Sequence, residues 1–105
     1  MLVNKSSART WSATGHAGID RSLFRNNEAG GRSSVVRLAA GARFPRHRHE
    51  GTEEVVVLAG TVRIGGVELE AGDYLFTPPG EEHDVAALTD ATIFVSSQRA
   101  TPLVE

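Results

Sequence analysis

The sequence predicts an all-β domain, an antiparallel sandwich or barrel, and three observations predict it. Eleven glycines and four prolines cut the chain into pieces of strand length separated by turn signals. Within the pieces, β-branched and apolar runs recur at "SSVVRLAA", "EEVVVLAG", "TVRIGG", "VELEAG", "DYLFTPP", "HDVAAL" and "ATIFVSS". No window sustains an apolar 3.6-residue period long enough for a helix.

Taken in order, the N-terminal stretch "MLVNKSSARTWSATG" lacks the apolar run of a signal peptide, so a cytoplasmic location is expected. Residues 1–33 are polar and glycine-bearing and read as loop with one or two edge strands; His16, within them, is given no role, and Trp11 is expected to pack against a sheet or a dimer mate. Turns follow at Ala40-Gly41, Ala59-Gly60, Gly65-Gly66, Ala71-Gly72 and Pro78-Pro79-Gly80. Gly65-Gly66, between "TVRI" and "VELE", reads as a two-residue hairpin, because primed turns need a positive φ that glycine adopts cheaply. The closing "QRATPLVE" reads as a tail. One domain over residues 1–105 is expected.

Composition narrows the function. A formal net charge of −2 and a pI near 6.1 leave no broad basic field for nucleic acid. Apolar runs such as "VVVLA" fall far short of the ~18 to 20 residues that cross a bilayer. There is no cysteine, which excludes disulfide staples, thiolate metal sites and Cys nucleophiles.

The chemistry concentrates in "HRHEGTEEVVVLAG", residues 47–60. Side chains alternate faces along a strand, so His47 and His49 share one face while Arg46 and Arg48 point to solvent. Glu53, beyond a Gly51-Thr52 bend, can swing over the same cavity ahead of Val55 and Val57, and Glu54 faces outward. His83 has the same parity. Three neutral imidazoles and one carboxylate form a borderline donor set that suits Fe, Mn, Zn, Ni or Cu and suits Ca²⁺ or Mg²⁺ poorly. In a six-coordinate ion, four protein ligands leave two positions open; a tetrahedral Zn²⁺ is closed. Four such groups are costly to bury unpaired, which favours an ion among them.

These residues carry a resemblance. "GARFPRHRHEGTEEVVVLAG" (41–60) resembles the first motif of the cupins, and "GDYLFTPPGEEHDVAA" (72–87) resembles the second, with Ala87 where the family pattern has Asn. The resemblance implies an antiparallel jelly-roll barrel (a double-stranded β-helix), usually a homodimer, holding one divalent transition metal ion (Fe, Mn, Zn or Ni) on His47, His49, Glu53 and His83. The wording is similar to the ChrR-like cupins, which include the zinc-binding effector domain of certain anti-sigma factors. Two functions are therefore expected in competition: a small metal-dependent enzyme of dioxygenase type acting on a small molecule inside the barrel, and a non-catalytic metal-binding sensor or effector module. Phe44, Tyr74, Phe76 and Phe94 are the aromatic candidates for lining the substrate cavity. Glu81 and Glu82 are expected on a solvated acidic rim. No separate general base can be named.

Overall fold

A computed structural model describes residues 1–100. After a single 3₁₀ turn (Ser6–Ala8), the chain runs through β1 (Ser12–Ala13), β2 (Ile19–Asn26), β3 (Arg32–Leu38), β4 (Arg43–Arg48), β5 (Glu53–Ala59), β6 (Thr61–Ile64), β7 (Val67–Glu70), β8 (Tyr74–Thr77), β9 (Glu82–Ala87) and β10 (Ala91–Ser97). Each apolar run named above therefore carries a strand. Among the described residues, no helix is long and apolar enough to cross a membrane.

All pairings are antiparallel and form two sheets, one ordered β1-β2-β3-β10-β5-β8 and one ordered β4-β9-β6-β7. The non-consecutive neighbours show the chain crossing repeatedly from one sheet to the other, an order compatible with a jelly roll. Ile64 pairs with Val67 across Gly65-Gly66, whose φ values of 57° and 80° give the primed hairpin expected there.

Alternation along the strands sets the core. On β5, Glu53, Val55 and Val57 are buried while Glu54 and Leu58 are exposed. Val55 and Val57 belong to one buried cluster with Val36, Leu38 and Ile93 from the same sheet and Val62, Ile64 and Val85 from the other. Each such side chain stabilises the fold by roughly 1.5 to 3 kcal/mol when fully buried.

Two expectations change. Residues 1–33 hold more than loop and edge: β2 is eight residues long and pairs with β3 from Ile19↔Leu38 to Asn26↔Arg32. Its sequence, "IDRSLFRN", disguised it, since a strand whose inward row includes Arg21 lacks apolar alternation. The tail expected over 98–105 begins as bonded structure: the Gln98 amide donates to the Thr52 carbonyl at 2.8 Å, and Arg99 bridges Gly30. The remainder of that stretch, 101–105, lies outside the described residues.

Candidate metal centre

Two strands of the smaller sheet and one of the larger bring the four expected ligands together. His47 on β4 sits directly opposite His83 on β9, and Glu53 opens β5 in the facing sheet. His49 follows β4 by one residue. The three imidazole centroids lie 4.5 to 4.9 Å apart. One ligand atom from each of the four residues falls within 4.8 Å of all the others, and the residues are only 1% to 8% exposed.

A bulge at Pro45 makes this possible. Phe44 pairs with Val85 and His47 with His83, so three steps on β4 match two on β9. The extra residue flips the alternation: Phe44 and His47, of opposite parity, both line the cavity. Proline is tolerated there because β4 is an edge strand and Pro45 has no amide hydrogen to place. Its carbonyl has a second use, since it lies 3.0 Å from His47 Nδ1. A proton on Nδ1 donates to that carbonyl and leaves Nε2 as the free lone pair.

His49 is held in the same sense by the Pro78-Pro79-Gly80 turn. The Gly80 amide donates to the His49 carbonyl at 2.7 Å, and the His49 amide donates to the Glu81 carbonyl at 2.9 Å. That carbonyl also lies 3.2 Å from His49 Nδ1. Gly80 has φ +90°, and the reversal it permits starts β9 so that His83 faces His47. Gly65 presses on the far side of His83; a Cβ there would lie 3.3 Å from the His83 Cβ, so the hairpin glycine also makes room for a ligand residue.

The free atoms match an ion. Nε2 of His49 and Nε2 of His83 are buried without a hydrogen-bond partner, a costly state for a polar atom. His49 Nε2 does approach Glu53 Oε1 to 3.0 Å, but without hydrogen-bond alignment, as two atoms converging on a common point would. Burial pushes the His83 imidazole down to about 4, with His49 and His47 adding to the effect. Burial likewise lowers His47, partly offset by the Pro45 carbonyl. Burial also opposes the charged form of His49, but Glu53 and the Glu81 carbonyl together raise it. Two neutral imidazoles, a third beside a carboxylate, and unpartnered Nε2 atoms fit a divalent transition metal and give a hard cation little reason to bind.

Three of the four, His47, Glu53 and His83, line a cavity of about 300 Å³, at the lower end of the size range for small-molecule sites. Of the four aromatic candidates, Phe44 lines it and packs edge-on against His47 at 5.1 Å. Tyr74, Phe76 and Phe94 turn away. Thr77 and Leu75 pair with Glu53 and Val55 on the inner face, so Tyr74 and Phe76 between them face outward, 55% and 50% exposed. Phe94 pairs with Val35 and Val56 on that same outer face and stacks near Phe24. Glu54 also faces outward and accepts from the Tyr74 hydroxyl at 3.0 Å. Arg46 and Arg48 are exposed, and Arg48 pairs with Glu50.

The sequence reading missed the cavity's N-terminal wall. His16 lines it and meets the Phe44 ring at 4.6 Å, and Thr14, Arg21 and Arg32 line it as well. Their signal was the odd parity of Ile19 and Arg21, which acquires meaning only once β2 is paired.

An all-β chain in two antiparallel sheets, with a buried His₃Glu cluster at one end of an internal cavity, defines the cupin class. Comparison with known proteins narrows this. Residues 1–101 match the model of the ChrR cupin-like domain family, and the chain belongs to that family. The DNA damage-repair/toleration protein DRT102 of Arabidopsis thaliana is 34% identical over 70 residues, which cover 61% of this chain and 23% of that protein. The chain thus spans about a quarter of that curated relative. The acetylacetone dioxygenase of Acinetobacter johnsonii superimposes over 100% of this chain and 77% of its own, with a TM-score of 0.85 at 16% identity. The anti-sigma ChrR complex with SigE of Rhodobacter sphaeroides superimposes over 90% of this chain and 51% of the other, with a TM-score of 0.77 at 21% identity. At these identities the likeness is one of fold.

Proposed function

We propose that the protein is a metal-dependent enzyme of dioxygenase type, with one divalent transition metal ion on His47, His49, Glu53 and His83, a redox-active one such as Fe for this chemistry, and a small organic substrate in the adjoining cavity. The observation that carries the reading is the conjunction of unpartnered Nε2 atoms on His49 and His83 with about 300 Å³ of space lined by His83, His47 and Glu53. A site that serves only to brace the fold has no use for such space. The likeness in fold to an acetylacetone dioxygenase supports the same reading.

The ion, when bound, supplies open coordination positions and polarises whatever occupies them. The rest is the work of the chain. The Pro45 and Glu81 carbonyls hold His47 and His49 in the tautomer that presents Nε2 inward. Phe44 covers one flank of His47, and Val55, Ile64 and Val85 exclude water from the walls. Family membership and the fold of ChrR favour a second reading, a zinc-bearing sensor or effector module without turnover. In either reading we propose a homodimer, for which the exposed Leu58, Tyr74 and Phe76 beside edge strand β8 offer an apolar face.

Metal analysis of protein purified with and without oxygen, combined with oxygen uptake over a panel of β-diketones and thiols, separates the readings. Stoichiometric iron with substrate-dependent uptake is expected. Tightly held zinc with no uptake on any member of the panel transfers the assignment to the module.

A further inference from the structure

The cavity has a charge that the metal cluster does not use. Its lining includes two guanidinium residues, Arg21 and Arg32, and one carboxylate, Glu53, which is also a metal ligand in the reading above. A divalent ion more than cancels Glu53, so the loaded cavity carries an excess of positive charge. Arg21 is the unusual member. It projects inward from β2 opposite Val36, and its Nε is buried with no hydrogen-bond partner. Burial, and then the like charge of Arg32, disfavour its charged form, while Glu53 favours it. A guanidinium does not deprotonate, and an Nε–H buried in a cavity wall with no partner is a donor that an anion in the cavity would satisfy.

The shape narrows the choice. The Arg fork matches a planar carboxylate through two parallel N–H···O bonds. Ser34 and Ser97 lie on the same lining, with Val36, Ile93 and Val95 among its apolar members. The site thus offers one anion-binding end and an apolar body.

We propose that the cavity binds a small carboxylic acid with an apolar body, its carboxylate held by Arg21 with Arg32 and its other end directed to the His47/His49/Glu53/His83 cluster. This names a substrate class for the site and rests on the reading that a small molecule enters beside the metal. Arg21 is a binding residue in this scheme. Its Nε, buried without a hydrogen-bond partner, is a cost to the free fold that a ligand offsets.

Calorimetric titration of the full-length protein as purified, with hexanoate and with hexanamide as probes, tests it. The wild type is expected to bind hexanoate at least about tenfold more tightly than hexanamide, the scale of a charge-assisted pair. In Arg21→Gln that preference is expected to vanish, with metal content unchanged and with a Tm equal to or above that of the wild type. Arg21→Lys, which keeps the charge and loses the fork, should retain part of the preference. Equal binding of acid and amide by the wild type overturns the proposal, as does failure to bind either. Preference surviving in Arg21→Gln also overturns it, because the carboxylate then sits on the metal alone. A Tm loss of more than about 4 °C in Arg21→Gln, with the preference intact, marks Arg21 as structural. Metal content and oxygen uptake on the same preparations keep the two readings apart. Carboxylate preference without turnover sinks the enzyme and spares this inference; turnover without carboxylate preference does the reverse.

Discussion

Strands β5 and β8 carry two surfaces back to back, and the contrast between them is the key to the molecule. On the inner face Glu53, Val55 and Val57 alternate into the cavity and core. On the outer face of the same strands stand Glu54, Leu58, Tyr74 and Phe76, all exposed. The two faces draw on similar residue types, a carboxylate followed by apolar side chains. What separates them is register: Glu53 lies opposite Thr77, and Glu54 lies opposite Phe76. A one-residue slip would exchange a candidate metal ligand for a surface carboxylate, so the identity of the site is a property of pairing as much as of composition.

The sharpest way to break the contrast is to alter neighbouring carboxylates on opposite faces. Glu53→Gln is expected to weaken metal binding by more than about 100-fold, since even outer-shell partners of a metal cost about 10- to 100-fold. Glu54→Gln is expected to leave affinity unchanged, since its amide oxygen can still accept the exposed hydrogen bond from the Tyr74 hydroxyl. His49→Ala should abolish stoichiometric metal altogether and leave a folded, less stable protein. Competition titration against a chromogenic chelator, with metal analysis of the purified variants, measures all three. Equal losses in Glu53→Gln and Glu54→Gln would refute the register, and full occupancy in His49→Ala would refute the ligand set.

Acid should weaken the inner face selectively. In the folded, metal-free chain His83 is depressed to about 4, mainly by burial and then by His49 and His47, and His47 is lowered by burial as well. An unfolded chain takes up these protons near pH 6.5. Below that value the unfolded state binds more protons, so stability is lost as pH falls from about 6.5 towards about 4. His49 works in the opposite direction: its raised pKa, owed to Glu53 against the pull of burial, contributes stability below its unfolded value. The deep depression of His83 outweighs this and leaves a net loss. Bound metal steepens it, because protons and metal compete for the same Nε2 atoms. Thermal melts across this range, with and without chelator, should show the loss in the wild type and a flatter profile in His83→Gln. Parallel profiles for the two proteins would remove His83 from the account.

How much of this was legible beforehand depends on how many of a residue's determinants are local. The strands from β5 to β10 could be read because half-buried alternation and glycine turns are local signals. The convergence of His47, His49, Glu53 and His83 could be expected because the first three sit within seven residues and the second motif's spacing supplied His83. The Pro45 bulge could not: parity holds within 47–49, but it places Phe44 on the wrong face, and only the pairing of Phe44 with Val85 and His47 with His83 reveals the inserted residue. Tyr74, Phe76 and Phe94 failed for a related reason. Aromatic side chains suggest interior, yet their facing was decided by Leu75 and Thr77, which pair with the inward row of β5. Arg21 was hidden because a charged residue on a polar strand reads as surface until the pairing of β2 with β3 shows which row faces inward.

The smallest expected effect belongs to the outer face. Val55, 2% exposed, sits in the core, and Val55→Ala is expected to cost about 2 kcal/mol through lost burial and the cavity left behind. Phe76, half exposed, makes no such contribution within one chain, so Phe76→Ser should change the stability of the monomer by less than about 0.5 kcal/mol. Its effect should appear in association instead. If Leu58, Tyr74 and Phe76 form the face on which two copies meet, light scattering during size exclusion will report a dimer for the wild type and a shift towards monomer for Phe76→Ser at equal concentration. Chemical denaturation at high dilution keeps the two quantities separate. A large loss of monomer stability in Phe76→Ser, comparable with that of Val55→Ala, would mean that the outer aromatics are packed within the chain, and the distinction between the two faces of β8 would collapse.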